Sequence, residues 1–249
     1  MLSGPYTIQV HTNLMGVIEK MTKTAILIPA RYDSTRFKGK PLTLLDGVPM
    51  IRRVYDACKA TGHPTYVLTD DLRIFELFGP NNCWVDNSFY CNNGTERCAA
   101  AIRSDFFAGF DRFINVQGDM PDVTQDMIDK CISSLEHYSV STVFADFPVD
   151  REHLQNDPNS VKMVRAGDNA LWFGRGMVGY GLWHLGVYGY KRNALEMYLS
   201  LPVEVEEQVE KLEQIRWLKA GWNIGCLKTD FNGIEINTPE DALIWNTRI

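Results

Sequence analysis

The sequence predicts an α/β protein with a mainly parallel sheet, helices on both faces and a smaller antiparallel excursion. Three observations support this prediction. From residue 24 to residue 136, short apolar or β-branched runs alternate with helical stretches, as they do in βαβ units. After residue 140 the extended runs follow one another without a long helix between them. The 249-residue chain is 45% hydrophobic and 22% charged, with 19 Gly and 11 Pro, which are globular proportions.

The first half of the chain supplies the predicted parallel strands and their crossover helices. Apolar, β-branched runs mark the strands, and the spacing of apolar residues marks the helices. The predicted strands are 24–28 (TAILI), 65–69 (TYVLT), 83–86 and 112–116 (RFINV), and the predicted helices are 49–60, 71–78, 95–103 and 124–136. Right-handed crossovers between parallel strands place a ligand site at the carboxyl ends of the strands.

The second half is predicted to be richer in antiparallel strands. The extended runs STVFADFPV, VKMV, NALWF and LGVYGY follow one another after residue 140. A helix is predicted over 205–219, with an i,i+4 pair between Glu207 and Lys211 and one buried stripe. The stripe consists of Val205, Val209, Leu212, Ile215 and Leu218. A last strand, WNIGCL, and a terminal helix that begins at TPEDALIW complete the pattern.

The chain is predicted to form one domain over residues 23–249 after an N-terminal extension of residues 1–22. The extension shows no clear period, and the segment MTKTAILIPAR, which begins at Met21, leads directly into the first strand. The antiparallel excursion is expected at about 140–191. No interdomain linker or internal repeat divides the rest of the sequence.

Charge, cysteine content and hydropathy exclude several classes of protein. The chain has 25 Lys and Arg against 31 Asp and Glu, so it lacks the basic surplus of a general nucleic-acid binder. No apolar run reaches the roughly 18 residues of a membrane span. The six cysteines form no CxxC pair, and we expect buried thiols of a reducing compartment rather than disulfides or zinc ligands. The sequence therefore predicts a soluble protein without nucleic-acid partner or membrane insertion.

The segment IPARYDSTRFKGKPL, residues 28–42, is the first candidate site because it follows the first strand directly. It concentrates cations and hydroxyl groups in a net-negative chain. These are Arg31, Ser34, Thr35, Arg36, Lys38 and Lys40. Arginine and lysine in a loop at the carboxyl end of a strand would bind a polyphosphate. The alternative is a solvated basic loop. A Walker A loop is excluded because the leading glycine is absent and Pro41 follows Lys40.

Two further segments place polar residues at the end of a strand or the start of a helix. In INVQGDMPDV an apolar strand ends in QGD, so that Asp119 projects from the carboxyl edge of the sheet. A carboxylate there suits Mg²⁺, which takes one or two protein carboxylates and substrate phosphates, although a turn aspartate fits equally well. In NNGTERCAAAI, Thr95 is a candidate helix cap, and Glu96 and Arg97 would either face a ligand or simply begin the helix.

Residues 174–179 read GRGMVG, which matches the GxGxxG pattern of dinucleotide-binding turns. That pattern requires a helix after the glycines, but the next segment, YGLWHLGVYGY, is aromatic and glycine-rich and predicts a strand. We therefore interpret 174–179 as a turn near a substrate pocket. His184 and Tyr188 lie within the predicted strand, where single polar residues are more often satisfied core groups than ligands.

In combination these segments resemble the 3-deoxy-manno-octulosonate cytidylyltransferases, also called CMP-Kdo synthetases. The matching stretches, which keep the family's order from about residue 24 onward, are IPARYDSTRFKGKPL, NGTER, NVQGDMP, DPNSVKMV, HLGVYGY, EKLEQIR and NTPEDAL. The resemblance implies a Rossmann-like nucleotidyltransferase fold, a cytoplasmic homodimer and Mg²⁺ as the cofactor. It also implies that the anomeric hydroxyl of a 2-keto sugar acid attacks the α-phosphorus of CTP, which gives a CMP-sugar and pyrophosphate.

The resemblance further implies roles for individual residues. The catalytic residues would be Arg31, Lys40 and Asp119, and the nucleotide-binding residues would be Arg31, Ser34, Arg36, Lys40, Thr69, Arg97 and Gln117. The residues that bind the sugar acid would be Gln117, Arg175, His184, Tyr188, Glu210 and Gln214. The metal would be held by Asp119 and Asn237.

Three departures from the family pattern concern the metal and the sugar acid. The family's DTPED motif is NTPED here, so that Asn237 offers an uncharged amide oxygen in place of a carboxylate. The family's GDEP is GDMP, with Met120 in place of an acid. The segment between FGR and HLGVYGY is shorter than in typical members and contains GRGMVG in place of SRATIP-like residues. The identity of the sugar acid therefore stays open.

Three functions are compatible with these observations. The first is an active cytidylyltransferase for Kdo or a close relative, such as an amino-substituted Kdo or a nonulosonate. The second is a catalytically weak nucleotide-binding homologue with a regulatory or vestigial role, which Asn237 and the shortened segment favour. The third, a nucleotide-sugar glycosyltransferase, would require a DxD motif, which the sequence DMPD at 119–122 does not supply. The breadth of motif agreement favours the first function.

Overall fold

The computed structural model describes residues 22–33, 37–86 and 90–248, and a large mixed sheet is its main feature. The strands are β1 Thr24–Pro29, β2 Leu44–Leu45, β3 Val48–Pro49, β4 Thr65–Thr69, β5 Cys83–Val85, β6 Arg112–Val116, β7 Val140–Ala145, β8 Lys162–Ala166, β9 Asn169–Gly174, β10 Leu182–Lys191 and β11 Ile224–Lys228. Nine of them form the sheet in the order β5-β4-β1-β6-β10-β7-β11-β9-β8, and β2 and β3 form a separate hairpin. The predicted α/β class is confirmed.

The described residues also form eight α-helices, which pack against the large sheet, against the hairpin of β2 and β3 or against each other. They are α1 Met50–Ala60, α2 Leu72–Phe78, α3 Gly94–Ala101, α4 Gln125–Ser134, α5 Arg192–Tyr198, α6 Val205–Glu210, α7 Ile215–Lys219 and α8 Pro239–Thr247. Each strand and helix predicted between residues 24 and 136 is present, with ends that shift by one or two residues. The hairpin of β2 and β3 was not predicted.

Strand β1 shows why this half of the sheet is parallel. Its six residues are all buried, and β4 and β6 flank it in parallel. Ile26 and Ile28 pack into one core with α1, α2 and α4, whereas Ala25 and Leu27 pack into a second core with α3 and α5. Because successive side chains of a strand point to opposite faces, an uninterrupted apolar run fits a sheet that is covered on both sides.

Strand β10 organises the antiparallel part of the sheet. It pairs antiparallel with β6, β7 and β8, and its register against β7 shifts between Leu185 and Tyr188. The GRGMVG segment joins β9 to β10, so a strand follows these glycines, not a helix. The prediction that a strand follows these glycines, and that they are not a dinucleotide fingerprint, is therefore confirmed, while a substrate pocket near 174–179 stays a prediction.

The single helix predicted over 205–219 is wrong. The segment forms two short helices, α6 and α7, because Lys211 adopts the left-handed conformation with a φ of 55° and ends α6. Val205 and Val209, which were predicted to be buried, are 70% and 74% exposed, while Leu212 is buried as predicted. The spacing of apolar residues continues across the break between α6 and α7, because the break is caused by tertiary contacts and not by the local pattern.

Those contacts involve Arg216, whose side chain is 3% exposed. It donates to Glu207 through Nε at 2.8 Å and through Nη2 at 2.5 Å, and Nη2 also donates to Glu96 at 2.9 Å. The pair predicted between Glu207 and Lys211 is therefore wrong, because Glu207 is buried against Arg216. Because Glu207 belongs to α6 and Glu96 to α3, the arginine connects α7 to both helices. Loss of either contact would leave a buried charge without its partner, which is costly.

The terminal helix begins as the sequence predicts. The side chain of Thr238 accepts a hydrogen bond from the amide of Asp241, and the Asp241 carboxylate accepts one from the amide of Thr238. This reciprocal arrangement is a capping box. All six cysteines are buried. Among the described residues, no helix has the length and apolar character needed to cross a membrane.

The domain boundaries stay predictions. Residues 1–21 lie outside the described part of the chain, and the extent of the excursion at about 140–191 is a matter of definition within one continuous sheet.

Replacing Arg216 with Gln should lower the free energy of unfolding by about 3–5 kcal/mol, because Glu96 and Glu207 would stay buried without their cation. Urea denaturation followed by circular dichroism measures the loss. The matched control is Lys219→Gln, which removes the exposed pair with Glu206 and should cost no more than about 1 kcal/mol. Equal losses in the two variants would contradict the structural role of Arg216.

Candidate active site

One cleft lies at the carboxyl edge of the parallel strands. Its walls are the end of β1 with the following loop, the end of β6 with the following turn, and the start of α3. Its volume is about 220 Å³. The candidate residues that line it are Arg31, Lys40, Arg97, Gln117 and Asp119. The structure therefore brings together cations from separate segments and the carboxylate predicted at the edge of the sheet.

Two glycines allow the walls of this cleft to approach closely. A Cβ atom on Gly118 would lie 3.0 Å from the carbonyl oxygen of Pro29, at the end of β1. A Cβ atom on Gly94 would lie 3.0 Å from the Pro29 side chain and 3.1 Å from the amide group of Gln117. Such distances are tighter than most real Cβ contacts, so a side chain at either position would require the neighbouring atoms to move by a few tenths of an ångström.

Lys40 makes the central polar contact of the cleft. Its Nζ atom donates to Asp119 Oδ2 at 2.6 Å and to the carbonyl oxygen of Ile236 at 3.0 Å. The amide of Ile236 in turn donates to the carbonyl oxygen of Asp119 at 3.0 Å. These contacts join the loop after β1, the turn after β6 and the segment before α8, so that positive and negative charge face each other inside the cleft.

Asn237, the second predicted metal residue, follows Ile236 and is thereby placed next to the turn that holds Asp119. The backbone amide of Asn237 donates to the carboxylate of Asp241 at 2.8 Å, as does the backbone amide of Thr238. Asp241 is therefore occupied in capping α8. It does not replace the carboxylate that is missing at position 237.

A second acidic group, Glu235, was not predicted from the sequence. It directly precedes Ile236, whose amide donates to the carbonyl oxygen of Asp119, and the charges of Asp119, Arg175 and Lys40 act on its carboxyl group. Burial, followed by repulsion from Asp119, raises the pKa of Glu235 to about 8. No motif pointed to this residue, because its importance depends on how the segment before α8 folds back onto the cleft.

The donor set at this edge fits Mg²⁺. It consists of carboxylate and amide oxygens, and the described residues contain no group of three or more His, Cys, Asp or Glu that could hold a metal by itself. Mg²⁺ is usually held by one or two carboxylates together with substrate phosphates and water. The donors therefore suit a Mg²⁺ ion that binds jointly with a nucleotide.

The remaining candidates for nucleotide binding differ in their surroundings. Arg97 is 5% exposed and donates to Asp70 at 2.6 Å, so it enters the cleft as part of an ion pair. Thr69 is fully buried, its hydroxyl accepts from the amide of Asp71, and it does not belong to the residues that line the cleft. Arg31 is exposed.

Ser34 and Arg36 lie outside the described residues, so their predicted roles stay predictions. Lys38 is described and is exposed. Met120 is 1% exposed and packs in the core beneath the cleft, where an acid would be unfavourable. The substitution of an acid by Met120 therefore fits the local packing.

Gln117 connects the cleft to a half-buried carboxylate, Glu213, that was not predicted from the sequence. Gln117 Nε2 donates to Glu213 Oε1 at 2.9 Å, and the amide of Thr95 donates to Glu213 Oε2 at 2.9 Å. Burial raises the pKa of Glu213 to about 7, against the hydrogen bond from Thr95, which lowers it. Glu213 lies in the EKLEQIR stretch that resembles the family, but the residues predicted from that stretch to bind the sugar acid were Glu210 and Gln214.

Two of the predicted sugar-acid residues, Tyr188 and Gln214, are in direct contact. The Tyr188 hydroxyl donates to Gln214 Oε1 at 3.1 Å. Gln214 Nε2 is buried and has no hydrogen-bond partner among the described residues. A buried donor without a partner is costly, and such a group at a candidate site indicates a place for a ligand acceptor.

His184 is a third member of this group, and its ring lies 5.4 Å from that of Tyr188. Its Nε2 atom lies 2.9 Å from the Thr142 hydroxyl, which donates to the carbonyl oxygen of Val187. The hydrogen-bond network therefore assigns the proton of His184 to Nε2. Burial, followed by the positive charge of Arg175, lowers the pKa of His184 to about 3. The imidazole is neutral at physiological pH.

Arg175 and Glu210 form the other predicted sugar-acid pair. The Arg175 amide donates to the Glu210 carboxylate at 2.7 Å, and its Nε atom donates to the Glu210 carbonyl at 3.1 Å. Its Nη1 atom also donates to the carbonyl of Asn159 at 2.9 Å. These contacts hold the guanidinium between β9 and α6, where its charge acts on His184 and Tyr188.

A Rossmann-like sheet whose carboxyl edge carries a cation-lined cleft and a carboxylate fits a nucleotidyltransferase. The chain belongs to the cytidylyltransferase family, whose model matches residues 25–224. The nucleotidyltransferase class and the family resemblance predicted from the sequence are thus confirmed.

Individual relatives are similar over nearly the whole chain. An 8-amino-3,8-dideoxy-manno-octulosonate cytidylyltransferase from Shewanella loihica is 39% identical over 240 residues, which cover 90% of this chain and 97% of the relative. A 3-deoxy-manno-octulosonate cytidylyltransferase from Desulfosudis oleivorans is 38% identical, with 88% and 94% covered. A solved structure of CMP:2-keto-3-deoxy-manno-octonic acid synthetase with CTP is 30% identical, with a TM-score of 0.76 and coverage of 90% and 98%.

The raised pKa of Glu213 predicts a pH dependence of stability. A carboxyl group whose folded-state pKa is raised from 4.5 to about 7 stabilises the fold below the unfolded value, and this contribution is lost as pH rises through the folded value. Glutamine at position 213 does not titrate, so Glu213→Gln lacks this loss. Between about pH 5 and about pH 8, the difference in unfolding free energy between the two proteins should therefore shift in favour of Glu213→Gln by on the order of 2 kcal/mol.

Urea unfolding at both pH values measures this difference, with the exposed Glu76→Gln as the matched control. A difference in stability between Glu213→Gln and the natural protein that does not change with pH would show that folding does not raise the pKa of Glu213.

Proposed function

We propose that the protein transfers CMP from CTP to the anomeric hydroxyl of Kdo or a close relative, such as its 8-amino form, with release of pyrophosphate and with Mg²⁺ as the cofactor. The observation that supports this proposal most is the cleft lined by Arg31, Lys40, Arg97 and Asp119, in a chain of net charge −6. The relatives named above, which include enzymes named for Kdo and 8-amino-Kdo and a complex with CTP, add to this support.

The cations of the cleft are proposed to bind the triphosphate. Arg31 and Lys40 belong to the loop after β1 and Arg97 belongs to α3, so they reach a bound triphosphate from different sides. Ser34 and Arg36, in the same loop as Arg31, are proposed to join them. Cations in this arrangement neutralise the charge on the phosphate oxygens and on the departing pyrophosphate, which favours in-line attack at the α-phosphorus.

Asp119 and Asn237 are proposed to hold Mg²⁺ together with oxygen atoms of the triphosphate. The bound ion supplies charge neutralisation and orients the phosphates. Lys40 keeps the carboxylate of Asp119 in place, and Ile236 keeps the backbone before Asn237 against the same turn.

The sugar acid is proposed to bind beside Gln117. The residues that surround it in this proposal are Arg175, His184, Tyr188, Glu210 and Gln214. Arg175 carries a permanent charge that suits the sugar carboxylate. His184 is neutral and protonated at Nε2, so its Nδ1 atom is available to accept from a sugar hydroxyl. The unpartnered Nε2 of Gln214 would donate to a sugar oxygen.

We also propose a cytoplasmic homodimer. The family resemblance supports it, and so does a group of large apolar side chains that are exposed on the β9–β10 connection and on β9. These are Leu171, Val178 and Tyr180, at 52%, 66% and 57% exposure. Neighbouring exposed apolar residues often mark an interface.

Asp119→Asn should lower the rate of pyrophosphate release at least about a hundredfold, because it removes a charged group from the transition-state environment. The assay supplies CTP, Mg²⁺ and either Kdo or 8-amino-Kdo, and parallel reactions replace CTP with the other nucleoside triphosphates. The matched control is Asp129→Asn, an exposed position on α4. Release that persists in Asp119→Asn, or that needs no sugar acid, would contradict the proposal.

A catalytically weak homologue is the alternative function, and Asn237 is the observation that favours it. If the natural protein is a fully active enzyme, Asn237→Asp should change kcat by no more than about threefold, which is under 1 kcal/mol. Steady-state measurement of pyrophosphate release at saturating CTP gives this ratio. A rise of two or more orders of magnitude would show that the natural protein is impaired at its metal site.

A further inference from the structure

Lys162 is a buried lysine at the start of β8. It is 0% exposed, and its Nζ atom donates to the backbone carbonyl oxygens of Asp157 at 2.9 Å and Ser160 at 2.8 Å. A Cβ atom on Gly181 would lie 3.0 Å from Lys162 Cβ, so the aliphatic part of the side chain is closely packed. Burial of an ammonium group is costly unless hydrogen bonds compensate it. Here the compensating bonds fix the backbone just before β8.

Arg175 binds the backbone of the same segment. Its Nη1 atom donates to the carbonyl oxygens of Asn159 at 2.9 Å and Pro158 at 3.3 Å. The carbonyl groups of residues 157–160, which we call the carbonyl loop, therefore accept hydrogen bonds from two cations. Lys162 binds the first and the last carbonyl group, and Arg175 binds the two between them. The orientation of the Arg175 guanidinium thus depends on a loop that the ammonium group of Lys162 holds in place.

The sheet brings Lys162 next to residues that are proposed to bind the sugar acid. Lys162 pairs with Gly174 of β9 and with Trp183 of β10. Arg175 and His184 directly follow these two partners in the sequence. The residues that line the cleft do not include Lys162. A change at position 162 should therefore act on the sugar-acid side of the site and not on the triphosphate side.

We propose that Lys162 is a positioning residue for the sugar acid, because through the carbonyl loop it sets the orientation of the guanidinium with which Arg175 binds the sugar carboxylate. This inference rests on the proposed function and adds to it a residue that does not contact the substrate. A guanidinium that is oriented before binding loses less conformational freedom when the carboxylate binds. An apolar side chain at position 162 would avoid burial of a charge but would leave the carbonyl loop without its ammonium donor.

The proposal is tested with Lys162→Met, which keeps most of the length of the side chain and removes its charge. Isothermal titration calorimetry measures the binding of Kdo and of 8-amino-Kdo to protein loaded with Mg²⁺ and α,β-methylene-CTP. We expect the dissociation constant of the sugar acid to rise at least about tenfold, because the guanidinium is no longer held in one orientation. The dissociation constant of the CTP analogue should change less than about twofold, since no residue that lines the cleft is altered.

The matched control is Lys228→Met, which removes an exposed lysine of β11 that pairs with Asp146. This variant should bind both ligands like the natural protein.

A second variant loosens the carbonyl loop without removing the buried ammonium group. Asp157 Oδ1 accepts from the amide of Asn159 at 2.7 Å, so Asp157→Ala removes a contact that holds the loop. It should weaken binding of the sugar acid, as Lys162→Met does. Circular dichroism of each variant shows whether it is folded, and Asp157→Ala carries the test if Lys162→Met does not fold.

A double-mutant cycle shows whether Lys162 acts through Arg175. Arg175→Lys keeps a positive charge but lacks the Nη1 group that the carbonyl loop orients. In that background Lys162→Met should change the dissociation constant of the sugar acid by less than about twofold. A purely structural role of Lys162 would not depend on the side chain at position 175, and the two losses of affinity would then multiply.

The outcomes separate this inference from the proposed function. The inference is overturned if both folded variants bind the sugar acid like the natural protein, if Lys162→Met weakens both ligands alike, or if its effect persists with Arg175→Lys. If the sugar acid binds as expected but CTP releases no pyrophosphate, the proposed function fails and the inference survives. If pyrophosphate is released but Lys162→Met and Asp157→Ala leave sugar-acid binding unchanged, only the inference fails. If the natural protein binds no sugar acid, both fail.

Discussion

The contact between Lys40 and Asp119 is the interaction on which the candidate active site depends. The ammonium group also donates to Ile236, so one side chain holds together segments that are 79 and 196 residues away in the sequence. Through it the loop after β1, the turn after β6 and the segment before α8 meet at a single side chain. A half-buried ion pair in a cleft is strengthened by the lower local dielectric, and its position fixes where opposite charges meet.

Most of the fold could be predicted from the sequence because local patterns and tertiary structure agree there. The buried run of β1 and the Thr-Pro start of α8 each express a requirement of one element. The helix over 205–219 failed because the pattern was local and the cause of the break was not. Arg216 donates to Glu207 and to Glu96, and these buried contacts stabilise a turn at Lys211 that the spacing of apolar residues does not encode.

The site could be predicted in part for the same reason. Lys40, Arg97, Gln117 and Asp119 lie in motifs directly after strands or at the start of a helix, and the topology brings such places together. Two acids were missed, Glu213 and Glu235. Both belong to segments from the far end of the chain, and an acidic side chain in such a segment looks like any solvated one until its tertiary contacts are known.

The central claim is that the cleft directs attack on the α-phosphorus of CTP by a sugar acid, and ³¹P nuclear magnetic resonance of the whole reaction tests it most directly. With CTP, Mg²⁺ and the sugar acid, the account predicts that the triphosphate signals are replaced by one phosphodiester signal of a CMP-sugar and by pyrophosphate in equal amount. Formation of CDP with inorganic phosphate, or of free CMP with pyrophosphate, would contradict it.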